Sequence, residues 1–254
     1  MSTYDPVFFD YVSASARQAA ERVLPLLDCE LQPRSVLDVG CGQGAWLAVW
    51  QSLGVTDVFG LDGSYVDQRQ LQISAERFRA VDLREGFNLR RQFGFIQCLE
   101  VAEHLPASSA EALITSLTRH GRVILFSAAP PGQGGHGHVN EQPYEYWRAH
   151  FSSRQFLPLD FLRPRILDDP GIACWYRYNP LLYVHRATFP ALSAALRSSL
   201  IPVDCSVPDL APFGYRLRRQ VVRHLPVAIM TTLAQFTERL FRSGTPNESD
   251  REAP

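Results

Sequence analysis

The fold of this chain is decided by the stretch Val36-Leu-Asp-Val-Gly40-Cys-Gly42-Gln-Gly44. A short apolar run at residues 35–39 leads into three glycines with the spacing G-x-G-x-G, and residues 45–53 continue with apolar side chains at helical spacing. A short apolar run is typical of a strand that is buried on both faces of a parallel sheet. Glycines in such a turn let the backbone adopt positive φ and approach a ligand closely. The stretch therefore predicts a strand, a ligand-binding turn and a helix.

The same alternation of strands and helices continues along the chain. Apolar runs predict further strands at residues 57–61, 78–81, 93–99, 122–127, 157–162 and 175–184. Helical spacing predicts helices at residues 108–118 and 143–151, on either side of a Gly/Pro-rich loop at 130–137. Strands that alternate with helices indicate right-handed crossovers and an α/β fold with a doubly wound, mostly parallel sheet.

The chain divides into four predicted segments. Residues 1–33 predict an N-terminal helical segment, and residues 34–187 contain the alternating strands and helices. Residues 188–242 hold prolines between short helical pieces and then an amphipathic stretch from Arg218 to Phe241, so we expect a C-terminal helical appendage. Its period fits a cover over the active site or a homodimer face equally well. Residues 243–254 are polar, and we predict them to be disordered.

Composition narrows the classes of function. The 254 residues carry 25 basic and 26 acidic side chains, a formal charge of −1, so no overall field holds the chain on nucleic acid or on an anionic membrane. A local patch of positive charge on the surface is still compatible with this composition. All 25 basic residues are arginine, which excludes a Walker-type phosphate loop and a lysine Schiff base. Five scattered cysteines, no apolar run of bilayer length and no leader pattern predict a cytoplasmic protein.

Acidic residues follow three successive predicted strands. Asp38 lies two residues before the first glycine, where a negative charge repels a pyrophosphate and suits a cation. Asp62 ends the second strand, where an acid hydrogen-bonds the ribose hydroxyls of a nucleoside. After the third strand, the Asp82 carboxylate is placed to accept from an adenine amino group, and the Leu83 N–H to donate to the ring. Each aspartate alone is more simply a capping residue, but together with the glycine turn they predict one nucleoside site.

These residues resemble the class I S-adenosylmethionine-dependent methyltransferases. Residues 36–44 are similar to the first motif of that family, Asp62 to its ribose acid, and Asp82-Leu83 to its adenine contact. The resemblance covers roughly residues 34–187. It implies a seven-stranded Rossmann-like sheet in the order 3-2-1-4-5-7-6 with strand 7 antiparallel. It also implies S-adenosylmethionine (SAM) as the cofactor. The residues expected around the methionine end of SAM are Asp38, Gly40, Gly42, Gly44 and Glu100.

The sequence Glu100-Val-Ala-Glu103-His104 follows the fourth predicted strand. In a helical turn, positions i, i+3 and i+4 share a face, so Glu100, Glu103 and His104 are predicted to converge. Two carboxylates and an imidazole suit a divalent metal, and oxygen-rich ligation favours Mg²⁺ or Mn²⁺. The loop after the fifth strand offers a fourth ligand, from His136 or from His138.

The E-x-x-E-H pattern resembles the metal-dependent O-methyltransferases of small-RNA 3′ ends and of the ubiquinone pathway. In the RNA enzymes a histidine after strand five completes the metal site, and His138 is the best match in this chain. Those enzymes place an aromatic pair soon after that histidine, whereas Tyr146-Trp147 lies farther along here. This spacing and the net charge favour a small-molecule acceptor over RNA, with neither a nucleic acid nor a membrane as partner.

Several functions remain open at the level of the sequence. The leading hypothesis is methyl transfer to a hydroxyl of a small metabolite or sugar, with Glu103, His104 and His138 as catalytic residues and a divalent metal assisting. Without a metal, His104 or His138 would act as a general base. RNA 2′-O-methylation and a catalytically silent SAM-binding subunit are further alternatives. The G-x-G-x-G spacing and Asp38 disfavour a nicotinamide-dependent oxidoreductase. Acceptor contacts are assigned to Asn140, Tyr144 and Trp147.

Overall fold

A computed structural model of the chain describes residues 6–224, with the side chains of the first helix described from Ala14 onward. The predicted disorder of residues 243–254 and most of the predicted amphipathic stretch lie outside the described residues. None of the helices in the described part combines the length and the apolar character needed to cross a bilayer.

Seven strands form one sheet at the centre of the fold. In chain order they are β1 (Ser35–Val39), β2 (Asp57–Asp62), β3 (Phe78–Ala80), β4 (Phe95–Leu99), β5 (Val123–Ser127), β6 (Phe156–Leu159) and β7 (Leu181–His185). Their spatial order is 3-2-1-4-5-7-6. Strands β1 to β5 pair in parallel, and β7 is antiparallel to both of its neighbours, β5 and β6. The predicted fold class, strand order and antiparallel strand are confirmed.

Helices cover both faces of the sheet. They are α1 (Pro6–Leu31), α2 (Ala45–Ser52), α3 (Ala110–His120), α4 (Tyr144–Ser152), α5 (Arg163–Ile166), α6 (Cys174–Tyr178), α7 (Ala194–Arg197) and α8 (Phe213–Val222). Successive residues of a strand point to opposite faces, so each central strand contributes to two cores. Val36 of β1 packs with α1 and α2, whereas Leu37 packs in the core that includes α3. This double burial explains why the central strands are continuous apolar runs in the sequence.

The strand predicted at residues 175–184 is wrong in its first half. Residues 174–178 form α6, and β7 begins only at Leu181. The aromatic run Trp175-Tyr-Arg-Tyr178 has the composition of a strand, but one helical turn buries Tyr176 and Tyr178 equally well. A run this short has too few residues for its period to separate the two structures.

A buried arginine joins the C-terminal appendage to the sheet. Arg163 is fully buried, and its guanidinium donates to both carboxylate oxygens of Asp160, at 2.8 and 2.7 Å. Its Nη1 donates to the carbonyl oxygens of Tyr178, at 3.2 Å, and of Pro208, at 3.0 Å. One side chain therefore connects the residues that follow β6, the end of α6 and the segment before α8.

We predict that Arg163→Ala destabilises the fold by about 3–5 kcal/mol, because it leaves a carboxylate and two carbonyl groups without their partner in a buried site. Urea unfolding monitored by circular dichroism measures this loss. The matched control is Arg122→Ala, at an exposed position, with an expected change within about 0.5 kcal/mol. Equal stability of the two variants would contradict the assigned role of Arg163.

Candidate active site

The glycine turn predicted from the sequence connects β1 to α2. Gly40, Gly42 and Gly44 have φ angles of 80°, 52° and 83°, in the left-handed region that favours glycine. The N–H groups of Gly40 and Cys41 donate to the carbonyl oxygen of Leu61, at 2.7 and 3.1 Å, and tie the turn to β2. A Cβ at Gly40 would overlap a methyl group of Val101. Position 40 therefore requires glycine for its backbone angle and for its lack of a side chain.

Two buried carboxylates lie at this turn. Asp62 accepts the Gly42 N–H through Oδ2, at 2.7 Å, and through Oδ1 it accepts the Gly63 N–H and the Tyr65 hydroxyl, at 2.6 and 2.5 Å. Burial raises the pKa of Asp62, although these donors lower it. Asp38 is 3% exposed, and its burial raises its pKa to about 7. Both groups would be stabilised as carboxylates by a cationic or hydrogen-bond-donating ligand.

The third predicted acid is placed differently. Asp82 is exposed beyond the end of β3, and its carboxylate accepts from the Arg84 guanidinium at 2.9 and 2.5 Å. The side chain and backbone N–H of Arg84 lower the pKa of Asp82 to about 2. Leu83 is buried beside it. The structure thus keeps Asp82 at the predicted sheet edge but pairs it with an arginine, which a ligand amino group would have to share or displace.

The helical turn predicted for residues 100–104 is wrong. Glu100 has a φ of 56°, and only Ala102–His104 form a single 3₁₀ turn. The N–H of Glu100 donates to the carbonyl and hydroxyl oxygens of Ser127, at 3.1 and 3.2 Å. These bonds hold Glu100 at the edge between β4 and β5 and prevent a helix from beginning there.

Amide side chains hold the Glu100 carboxylate. The Gln133 amide donates to one oxygen at 2.8 Å, and the Asn179 amide donates to the other at 3.1 Å. Asn179 also donates to Gln133, at 2.8 Å, and accepts from the Tyr144 hydroxyl, at 3.1 Å. Burial raises the pKa of Glu100, while the two amides lower it. Sequence reasoning missed Asn179, because nothing near it in the chain indicates that its loop reaches Glu100.

Glu103, His104 and His138 come together as predicted. One potential ligand atom from each lies within 4.8 Å of the other two. Glu103 is fully buried, and neither of its oxygens accepts a well-formed hydrogen bond, although the N–H groups of Glu103 and Ala129 and the side chain of Glu100 lie nearby. Burial, followed by the charge of Glu100, raises the pKa of Glu103 well above its usual value.

The two histidines of this cluster meet edge to face, with ring centroids 4.9 Å apart. Although part of His104 reaches solvent, desolvation of its imidazole and the neighbouring His138 lower its pKa to about 4. The neutral ring is the form that binds a metal. Glu100 and His136, the other predicted ligands, are not members of this three-residue cluster. Glu100 instead keeps its two amide partners.

Glu141 orients His138. Its Oε1 lies 2.8 Å from Nδ1 of His138, and the same carboxylate accepts the N–H groups of Gly132 and Gly134, both at 2.7 Å. With Nδ1 engaged, Nε2 is the nitrogen that His138 can present to a ligand. The sequence does not predict this contact between His138 and Glu141. The two residues are three positions apart, but in a loop such a spacing does not bring side chains together as it does in a helix.

The residues assigned to the acceptor divide into two groups. Tyr144 belongs to the network around Glu100. Asn140 is buried; its N–H donates to the Glu103 carbonyl oxygen at 3.0 Å, and its amide donates to that of Ala102 at 3.3 Å. Trp147 is 2% exposed and packs against Phe126, with ring centroids 5.2 Å apart. In this structure Asn140 therefore anchors the loop that carries His138, and Trp147 fills the core.

A family model described as a methyltransferase domain matches residues 11–163, more than half of the chain. The chain belongs to this methyltransferase family. With the glycine turn and the strand order, the match confirms a class I SAM-dependent methyltransferase, and SAM is its cofactor. No curated protein sequence matches this methyltransferase.

Solved structures share the fold of this methyltransferase. Magnesium protoporphyrin IX methyltransferase from Synechocystis PCC 6803 with bound SAH, the demethylated donor, is 20% identical, with a TM-score of 0.52 over 73% of this chain and 90% of that one. The same enzyme with bound SAM gives a TM-score of 0.51 at 20% identity, over 73% and 86% of the two chains. An amino pentose methyltransferase from Micromonospora echinaspora with bound SAM is 17% identical, with a TM-score of 0.46 over 73% and 99%.

We predict that Gly40→Ala lowers the affinity for SAH at least tenfold, because the added methyl group strains a backbone at positive φ and pushes Val101 away from the turn. Isothermal titration with SAH measures the affinity, and thermal unfolding verifies that the variant is folded. The matched control is Gly54→Ala, at a φ of 96° with no atom within 4 Å of the added Cβ. Similar losses in the two variants would show that backbone strain alone, rather than the turn, determines the effect.

Proposed function

We propose that this methyltransferase transfers the SAM methyl group to a hydroxyl of a small metabolite or sugar, assisted by a divalent metal. The observation that carries this proposal is the Glu103 carboxylate, which is fully buried without a well-formed hydrogen bond beside two imidazoles. A buried polar group without a partner costs about 1–3 kcal/mol or more. A divalent cation held by Glu103, His104 and His138 would remove that cost.

The donor is proposed to bind across the ends of β1, β2 and β3. Asp38 and the three glycines would hold the cationic methionine end, and the raised pKa of Asp38 supports this, because a cation is what such a buried acid lacks. Asp62 would hold the ribose; the Tyr65 hydroxyl on its Oδ1 marks where a ribose hydroxyl can donate. Asp82 and Leu83 would contact the adenine.

The chain's own residues would bind and orient the acceptor beside the donor. A divalent metal, when bound, lowers the pKa of an acceptor hydroxyl. Glu103, His104 and His138 are suited to hold it, and Glu141 fixes the ring of His138. Glu100, at the junction of the donor and acceptor sides, would present its carboxylate edge in one orientation, because Gln133 and Asn179 hold both of its oxygens. Positioning of this kind contributes several kcal/mol to methyl transfer.

A metal-free reaction is the second candidate, and the His138–Glu141 pair favours it. A histidine whose Nδ1 contacts a carboxylate is arranged as a general base at Nε2. His104 is a weaker candidate base, because a pKa of about 4 lies far below working pH. A screen of methyl acceptors would distinguish two further alternatives. Methylation of RNA would indicate an RNA methyltransferase, and methylation of no acceptor would indicate a catalytically silent subunit. The five cysteines are all unpaired, which supports a cytoplasmic location.

We predict that Glu103→Gln abolishes binding of Mn²⁺ while leaving the affinity for SAH unchanged, because the amide loses the charge that a cation needs. The test is isothermal titration of chelator-treated protein, first with SAH and then with Mn²⁺. Glu85→Gln, at an exposed position, is the matched control and should behave like the unaltered chain. Unchanged Mn²⁺ binding in Glu103→Gln would refute the metal site. Absence of SAH binding in the unaltered chain would instead refute the donor site.

We predict that SAM affinity rises as the pH is raised from about 6 to 8. The pKa of Asp38 is about 7 in the free protein, so its carboxyl is largely protonated at the lower pH, and binding the cationic donor must release that proton. The stability of the free protein should change in the opposite sense. Because the folded state binds the proton more tightly than the unfolded chain, with its ordinary pKa of 3.8, stability falls as the pH rises from about 4 to 7.

Titrations with SAM in buffers of different ionisation enthalpy measure the proton release directly. In Asp38→Asn the pH dependence should be lost, and the affinity at pH 8 should fall about tenfold, the effect of losing about 1.4 kcal/mol. A pH profile of the same slope in Asp38→Asn would assign the proton to another group. Asp62 is the nearest alternative, because burial raises its pKa as well.

A further inference from the structure

Helix α8 packs on the loop that carries His138. Nη1 of Arg218 donates to the Gln133 carbonyl oxygen at 2.9 Å. Gly132 lies so close to the carbonyl oxygen of Arg219 that a Cβ there would overlap it. On the same inner side, the ring of Tyr215 lies 5.6 Å from that of Tyr178. The inner face of α8 is therefore fixed against the acceptor side of the molecule.

The outer face of α8 is an exposed apolar stripe. Phe213, Leu217 and Val221 are 73%, 55% and 62% exposed, and their four-residue spacing places them on one side of the helix. Among the residues that the structure describes, these three are half of the large hydrophobic side chains that are exposed. Exposed apolar residues that stand singly need no explanation, but a row of them on one helix marks an interaction surface.

Arginines flank this stripe. At 100° per residue, Arg216 and Arg223 lie along one side of it, whereas Arg218 turns toward the inner face and donates to Gln133. Arg219 is paired with Asp209, but no acidic partner is found for the two flanking arginines within residues 6–224. The helix itself contains no acidic residue. A chain with a net charge of −1 therefore carries a local patch of positive charge beside an apolar row.

We propose that α8 docks on the surface of an anionic lipid bilayer. Phe213, Leu217 and Val221 would enter the boundary between headgroups and acyl chains, and the flanking arginines would contact headgroup phosphates. An apolar row with arginines along its side is the pattern of an interfacial helix, and basic residues near an anionic surface strengthen its binding. The sequence-based expectation of no membrane partner rested on the net charge of the whole chain, which does not reveal the cluster of arginines on α8.

Charge complementarity favours lipid over the other occupants of such a face. A second copy of the chain would bring the same uncompensated arginines against each other across a two-fold axis. An RNA would satisfy the arginines but would leave the three apolar side chains without an apolar partner. An anionic bilayer satisfies both groups at once.

The test is vesicle flotation of the full chain with phosphatidylcholine vesicles that contain about 30% phosphatidylglycerol, and with pure phosphatidylcholine vesicles. Binding is expected only to the anionic vesicles and should weaken as salt increases. The double variant Phe213→Ser/Leu217→Ser should weaken binding at least tenfold, and so should Arg216→Gln/Arg223→Gln. Val203→Ser removes an apolar side chain that is 94% exposed outside α8, and Arg122→Gln removes an exposed arginine elsewhere; both should bind like the unaltered chain.

Three results would overturn the proposal. One is the absence of binding to anionic vesicles at low salt. Another is binding that the apolar variant leaves unchanged and that polyuridylate competes away, which would assign the patch to nucleic acid. The third is a dimer in sedimentation that Leu217→Ser dissociates, without any vesicle binding, which would assign the stripe to a second copy. Thermal unfolding should show equal stability for all variants, because the altered side chains are exposed.

Discussion

The hydrogen bond from the Gly42 N–H to the Asp62 carboxylate, at 2.7 Å, joins the turn after β1 to the end of β2. Two further hydrogen bonds reinforce this connection, because the N–H groups of Gly40 and Cys41 donate to the carbonyl oxygen of Leu61 in the same strand. These bonds need positive φ at the glycines, and they draw Asp38 and Asp62 into a buried region where both carboxyl groups have raised pKa values. The proposed donor site depends on this one arrangement, because it places both carboxyl groups beside the glycine turn.

The proposed donor side and the proposed acceptor side would meet where Gly40 approaches Val101. The absence of a side chain at Gly40 lets the segment after β4 approach the turn closely, so that Glu100 stands beside the donor region while Glu103 points toward the histidines. The amides of Gln133 and Asn179 then fix Glu100 from the opposite side. A methyltransferase that works chiefly by positioning needs its two sites in rigid contact, and under the proposed function this junction would provide that contact.

Much of the fold and part of the candidate site could be predicted from the sequence. The other features could not, because they depend on contacts between residues that are distant in the chain. The alternation of strands and helices follows from runs that are apolar on both faces, whereas the spatial order of the strands followed only from the resemblance to the methyltransferase family. The proposed donor acids follow from their places at strand ends. The left-handed Glu100 could not be predicted, because the bonds that hold it come from Ser127 on another strand. Asn179 and Glu141 make their contacts from loops, where the spacing of residues in the sequence does not predict which side chains meet. The ion pair between Arg84 and Asp82 also lies outside any helix or strand, so hydrophobic periodicity could not predict it.

Gln133 belongs to two structures at once. Its backbone carbonyl oxygen accepts a hydrogen bond from Arg218 of α8, and its side-chain amide donates to Glu100. The contact with α8 and the contact with Glu100 therefore both depend on the position of one residue. A displacement of this loop at α8 would therefore also displace the amide that holds Glu100.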